Sequence, residues 1–540
     1  MKLKYKYILI IFTLVFSQLT TLQTTVAQDD TKIQEKCLFH FSDLQRKQTW
    51  TDSYNAAGLH FIDFKNSSYV EAYLGKNDGS FVNYYDSDNS FNFGVQTASY
   101  TKINRVTFFG KADYNNFLGK EMTHSGLIYP ERYLLTVADD RPAEKRKESY
   151  NFSGGFSVPV TNALRFGLLI NYEAANLAKM KDLRHKTSLL DFEVTGGLLY
   201  SVGSFNIGAN YYYRKFHENI GFSKIAEDEM LYKGYLYKGL WFGMVDTWDL
   251  SNLNLSRQFT DVLHGGSVQV EFIHNNLRFH NEFTYKYRDG LSGPGTDRAY
   301  SFTESSIYEY KGTAQLETDN IRHYLRVKTK YEDATNYDNV TNQEIVGGIT
   351  IIYQYGKNRA FSRRSFNFNA MYELALGTLK CNPDWNFTAS YNYASVSGMS
   401  SLITPFYFTQ DVRIHQAYGK VNKNFLFKKS MIDVNLLGGF GSGLGDKLNK
   451  KRALGGTSEQ ISEDIIPVQN KDLLNREYEF LTAQRLFGEV GFRYSKFIFS
   501  NKQPGALYLD AKYSFTNASD IKYHNGSNAG IFSLAIGYSF

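Results

Sequence analysis

Few residues of this chain could do chemistry. Asp139 and Asp140 are adjacent carboxylates, the residue type that a general acid–base pair needs. His185 and His264 are histidines that could stand near the same rim. The acids run straight into RPAEKRK, so solvated charge is the plainer reading, and no nucleophile with a local base can be placed beside them. GFGSGLGDK, Gly439 to Lys447, is glycine-rich like a phosphate loop. It lacks the strand–turn–helix setting and reads as a strand end entering a flexible loop. No histidine, cysteine or acid spacing suits a metal. The sequence predicts no enzyme and no cofactor.

The other charged residues fall into a pattern, and the pattern names the elements that carry them. In SSIYEYKGTAQLETDNIRHYLRVKTKY, residues 305–331, Tyr308, Tyr310, Ala314 and Leu316 share one face, with Glu309, Lys311, Thr313, Gln315 and Glu317 on the other. Ile321, Leu325, Val327 and Tyr331 then oppose Arg322, Arg326, Lys328 and Lys330 in the same way. A two-residue turn at Asp319-Asn320 sets Glu317 against Arg322 and Glu309 against Lys330. A one-residue slip would lose both matches. In SVQVEFIHNNLRFHNEFTYKYR, a turn at Asn275-Asn276 sets Glu271 against His280 and Gln269 against Glu282. It leaves Val268, Val270, Phe272, Phe279, Phe283, Tyr285 and Tyr287 on one apolar face.

Strands of about ten alternating residues, joined by short turns and long polar stretches in alternation, are the mark of a transmembrane β-barrel. A β-sandwich also alternates, but its strands are typically about 5–6 residues long. Aromatics make up 16% of the chain, with 41 Tyr and 42 Phe against 8 Pro. Mean hydropathy is −0.40, too low for a bundle of membrane helices. The expected fold is all-β: an antiparallel barrel of about 18 strands (16–20), with short periplasmic turns and long extracellular loops. Residues 1–27 read as a signal peptide, residues 28–65 as a periplasmic segment and 66–540 as the barrel. The precursor charge of +6 falls to +3 without the three lysines of residues 1–27, too little to suggest nucleic acid. Cys37 and Cys381 could pair in an exported chain or remain separate thiols. GTLKCNPDW, from Gly377, could be a periplasmic turn or an outer loop.

By parity the lumen-facing charges include Arg278, Glu282, Lys286, Glu309, Glu317, Arg322, Arg326, Lys328, Lys330, Asp510 and Lys512. A polar lumen of this kind suits a passive or substrate-selective channel for small polar solutes. The long stretches, about 115–147, 174–187, 217–265, 291–302 and 442–475, are the expected outer loops. Tyr235, Tyr237, Trp241 and Trp248 lie in the third. Such rings can stack on sugars; the plainer reading is a loop that folds inward or forms an extra hairpin. The final strand, GIFSLAIGYSF, alternates to its last atom. Ile536, Tyr538 and Phe540 there form an expected assembly signal, with Phe540 at the periplasmic lipid boundary.

The stretches SYNFSGGFSVPVTNALRFGLLINYEAAN, KDLRHKTSLLDFEVTGGLLYSVGSFNIGANYYYRKF and FNFGVQTASYTKINRVTFFGKADYNN resemble a family of uncharacterised outer-membrane β-barrels of Bacteroidota. The likeness extends over most of the mature chain and concerns strand and turn patterns. It implies residence in the outer membrane of a Gram-negative cell, in contact with lipid and the barrel assembly machinery. It also implies work beside a TonB-dependent receptor or a surface lipoprotein. The rival to a channel is therefore a non-conducting accessory barrel in an uptake or secretion complex.

Overall fold

The computed structural model describes residues 41, 48–62, 66–225, 230–248, 256–293, 299–318, 320–377, 383–403, 406–427, 429–452, 470–498 and 505–540. Residues 1–27, both cysteines and Asp319 lie outside this set. In chain order the strands are β1 (Asn66–Gly79), β2 (Asn89–Ile103), β3 (Val106–Met122), β4 (Thr136–Asp139), β5 (Ala143–Pro159), β6 (Leu164–Lys179) and β7 (Arg184–Val202). Then follow β8 (Phe205–Ser223), β9 (Tyr232–Tyr237), β10 (Gly243–Trp248), β11 (Arg257–His274), β12 (Leu277–Gly293), β13 (Ser301–Glu317) and β14 (Ile321–Val346). The last are β15 (Ile349–Leu376), β16 (Trp385–Ile403), β17 (Phe406–Leu426), β18 (Ser430–Arg452), β19 (Arg485–Ile498), β20 (Gly505–Ala518) and β21 (Asn528–Ser539). A helix, α1 (Lys471–Thr482), precedes β19.

Eighteen of these strands form one antiparallel sheet, and β4, β9 and β10 form a separate small one. The large sheet closes where β21 pairs with β1. Closure leaves no edge, which a sheet in hydrocarbon requires because no water is there to satisfy unpaired backbone groups. The seam extends to the last residue: Phe540 N–H donates to Ser68 O at 2.9 Å, and Ser68 N–H donates to Phe540 O at 2.8 Å.

The register follows from the side-chain pattern. Glu317 pairs with Arg322 and Glu309 with Lys330 across β13–β14, and Tyr308 meets Tyr331 on the opposite face. Across β11–β12, Glu271 pairs with His280 and Gln269 with Glu282. Asn275, at a positive φ of 50°, makes the turn between them. The faces divide sharply. Val268 is 56% exposed and Phe283 53%, whereas Gln269 and Glu282 are each 0%. A closed barrel with an apolar outer belt and polar residues inside is built for a lipid bilayer, and this protein resides in the outer membrane.

Several local expectations change. The strands run further outward than the alternation suggested, so the large outer connections shrink to 123–142, 180–183, 224–256, 294–300 and 453–484. The Gly439–Lys447 segment lies within β18 and is not a loop. Gly377 N–H donates to Asn320 O, placing the β15–β16 connection on the periplasmic side. The largest correction concerns residues 28–65. Its described part, 48–62, does not stand clear of the barrel as a periplasmic segment. It packs against inward-facing residues of β5 to β14, because its polar side chains find partners there.

Candidate functional site: a filled lumen with one polar compartment

Two 3-10 turns, Thr49–Asp52 and Ala56–Phe61, make up most of the inner segment. Between them Asn55 is fully buried. Its Nδ2 donates to Leu198 O at 2.8 Å, Gln269 Oε1 at 3.0 Å and Ala209 O at 3.3 Å, touching β7, β8 and β11 together. Its Oδ1 accepts from Ala57 N–H at 3.0 Å and caps the second turn. Glycines on the inner wall make the room. A Cβ on Gly197 would stand 2.3 Å from Asn55 Oδ1, and one on Gly167 2.1 Å from Ala57 N. Glu271 accepts from Thr49 Oγ1 and Trp50 Nε1, both at 2.8 Å. Tyr54 N–H donates to Glu282 and its hydroxyl to Glu309. These contacts lie within a few residues of the short turns after β7 and β11, so the segment plugs the periplasmic half.

The outer half is filled by connecting segments. In 123–142, Arg132 reaches Asp191 at 3.2 Å, and Ile128 N–H and Tyr133 Oη both donate to Glu218 at 2.6 Å. Arg288 Nη1 donates to Arg132 O at 2.8 Å. The end of this segment, Thr136–Asp139, is β4, which pairs with β9 in the small sheet. Tyr235, Tyr237 and Trp241 are buried there with Tyr84, Leu473 and Leu474. Trp241 Nε1 donates to Glu477 of α1, and Tyr235 Oη to Asp140. These rings form a core and present no open platform for a sugar. The side chain of Trp248 is outside the described set. Asp139 is buried in a contact with Lys179, and Asp140 is taken up by Tyr235, so the two acids form no acid–base pair. His185 is buried beside Thr187, while His264 turns outward to Tyr211. The histidines do not meet.

Helix α1 is tied down by Glu479. That carboxylate accepts from the backbone N–H groups of Lys522, Tyr523 and His524 and lies 2.7 Å from His524 Nδ1. Burial alone would raise its pKa, but these four donors outweigh burial and hold it below the ordinary carboxylate value.

Among the described residues, part of the lumen stays open. A cavity of about 620 Å³ lies between Tyr54 of the plug and residues of β13 to β17, with Arg485 of β19. Lys311, Lys328, Lys330, Asn367, Gln416 and Arg485 are among its lining residues. Of the charges read from parity, Arg322 is bound to Glu317 at 2.9 Å and Arg326 to Glu373 at 3.2 Å. Lys286 meets Glu309 at 3.1 Å, Arg278 meets Glu271 at 3.6 Å, and Glu282 holds the plug. Asp510 pairs with Arg493 at 2.6 Å and Lys512 at 3.6 Å. Lys328 and Lys330 keep side chains nearly half exposed, at 46% and 43%, despite contacts to Asp52 and Glu332. Most of these charges brace the wall or the plug, and the two lysines face the cavity. The plug escaped the sequence reading because QTWTDSYNAAGLHFI has neither a two-residue nor a helical period. The inward glycines Gly167 and Gly197 were the available signal.

The model of a family of unknown function (DUF6850) matches residues 56–540. No curated protein matches the chain. Solved structures with a similar fold include the outer membrane transporter YddB from Escherichia coli. It has 6% identity and a TM-score of 0.38, covering 89% of this chain and 81% of that one. Another is BauA, the ferric preacinetobactin receptor from Acinetobacter baumannii, with 10% identity and a TM-score of 0.35 over 87% and 80% of the two chains. A third is the ferripyoverdine receptor of the outer membrane of Pseudomonas aeruginosa, with 9% identity and a TM-score of 0.36 over 88% and 72%.

Proposed function

The chain belongs to this family of unknown function, and from that premise we propose that it is a gated, substrate-selective transport barrel, not an open pore. The observation that carries this is the seating of Asn55, fully buried and bonded to three adjacent wall strands at once. A segment so docked obstructs free diffusion through the periplasmic half. The polar cavity beside it gives a solute somewhere to stand once the segment moves. An origin in Bacteroidota belongs to the same reading and rests on the strand and turn patterns.

Purified protein in planar bilayers tests the proposal. The native protein is expected to show small or rare conductance steps. Gly197→Val, whose side chain takes the place of Asn55, is expected to make the steps larger or more frequent. Large, steady steps from the native protein would refute gating. A second reading is supported by the filled outer half: a sealed accessory barrel beside a TonB-dependent receptor or a surface lipoprotein. A correctly assembled Gly197→Val barrel that still passes no current, and a native barrel that co-purifies with a fixed partner, would favour it.

A further inference from the structure

Lys311 and Lys328 are direct cross-strand partners on the inner face of β13 and β14. Like charges so placed repel each other. The plug relieves them: Asp52 sets a carboxylate oxygen 2.5 Å from Lys328 Nζ and its backbone carbonyl 2.6 Å from Lys311 Nζ. The two lysines line the cavity, and the Asp52 side chain that meets Lys328 is itself 58% exposed. Lys330 lies two residues along the same face, and Arg485 adds a cation across the cavity. Asn367, the cross-strand partner of Lys330, and Gln416 line the same space. Neither carboxamide makes a side-chain hydrogen bond among the described residues. Each offers donors and an acceptor together, the complement of a hydroxyl group. The volume lies within the range of about 300–1,000 Å³ usual for small-molecule sites.

We infer that this cavity binds an anionic, hydroxyl-rich solute, and that the bound anion competes with Asp52 for the Lys311–Lys328 pair and so loosens the plug. The inference rests on the gated-transport reading and gives it a ligand class and a trigger. No covalent step is involved. An anion that takes over the lysines leaves Asp52 without its partner, and the plug loses one of its few charged anchors.

The test is calorimetry on the full-length protein in detergent at low salt, with trigalacturonate, neutral maltotriose and a sulfated disaccharide as probes. At least one acidic probe is expected to bind about tenfold or more tightly than maltotriose. Whether uronate or sulfate binds better identifies the anionic group. Lys311→Gln with Lys328→Gln should weaken binding by a similar factor, and Asp52→Asn should strengthen it by removing the competitor. Hydrogen exchange in residues 48–62 should rise on saturation with the acidic probe. Assembly of each variant is checked by its heat-dependent shift in SDS gels. If the double variant does not assemble, Lys330→Gln replaces it and is expected to weaken binding in the same direction. Equal affinity for maltotriose, no binding of either acid, or unchanged affinity in the lysine variants would overturn the inference. The conductance of Gly197→Val is independent of these outcomes, so an absent anion site and an absent gate give different results.

Discussion

The indole Nε1 of Trp50 donates to Glu271 Oε2 at 2.8 Å, joining residues 221 positions apart and fixing the plug to β11. The same carboxylate also accepts from Thr49 and Asn206 and faces Arg278. Glu271→Ala strands several buried donors at once. The expected cost is about 1–3 kcal/mol for each donor left without a partner. That cost should fall on plug docking more than on the barrel, whose backbone ladder is untouched. Hydrogen exchange should accelerate in 48–62 and remain slow in β11 and β12; equal acceleration in both would contradict this division.

Charge reversal should separate the lumen lysines from the lumen arginines. Lys330 is half exposed to the cavity, whereas Arg326 is largely buried against Glu373. In the unplugged Gly197→Val background, Lys330→Glu is expected to shift ion selectivity toward cations with little loss of assembled protein. Arg326→Glu places two carboxylates together in a largely buried site, a change that costs about 3–5 kcal/mol when a buried pair is broken. It should lower the yield of folded barrel. Reversal potentials and gel shifts measure the two outcomes.

The Glu479 anchor gives the outer surface a definite response to acid. Its folded pKa is depressed, so it contributes stability above its ordinary value of 4.5. That contribution is lost as the pH falls through the folded value. Asp86 behaves oppositely. Burial, with Glu131 nearby, raises its carboxyl to about 6, so mild acid relieves a buried charge there. Exchange in the 519–527 connection should therefore rise below pH 4.5, and Glu479→Gln should show the faster exchange already at pH 7. A profile flat to pH 3 in the native protein would rule out the anchor.

Phe540 stacks on Tyr538 with ring centroids 5.6 Å apart, and its backbone completes the β1–β21 seam. Phe540→Ala removes an aromatic pair of about 0.5–1.5 kcal/mol while leaving the backbone bonds. Deleting residue 540 removes both. The assembled fraction, read as the heat-modifiable species, should fall for Phe540→Ala and fall further for the deletion.

The sequence made the wall legible because a strand's side-chain period is local. Asn275-Asn276 and the charges around it were enough to set the β11–β12 register. Choosing actual ion partners was beyond that reasoning. Glu309 and Lys330 face each other in register, yet Glu309 binds Lys286 on the next strand and Lys330 turns to Glu332. Parity fixes the face, while the third strand and the plug decide the contact. The plug itself was hidden for a related reason. Asn55 is explained only by carbonyls more than a hundred residues away, and no window of sequence contains them.

Ile62, the last described residue of the plug, stands four positions before Asn66, where the wall begins. Four residues span at most about 14 Å when fully extended. A dislodged segment therefore remains on a short leash beside the wall it docks on. Under the proposed gating its return is a unimolecular event, so the duration of each opening is expected to be independent of protein concentration in the membrane.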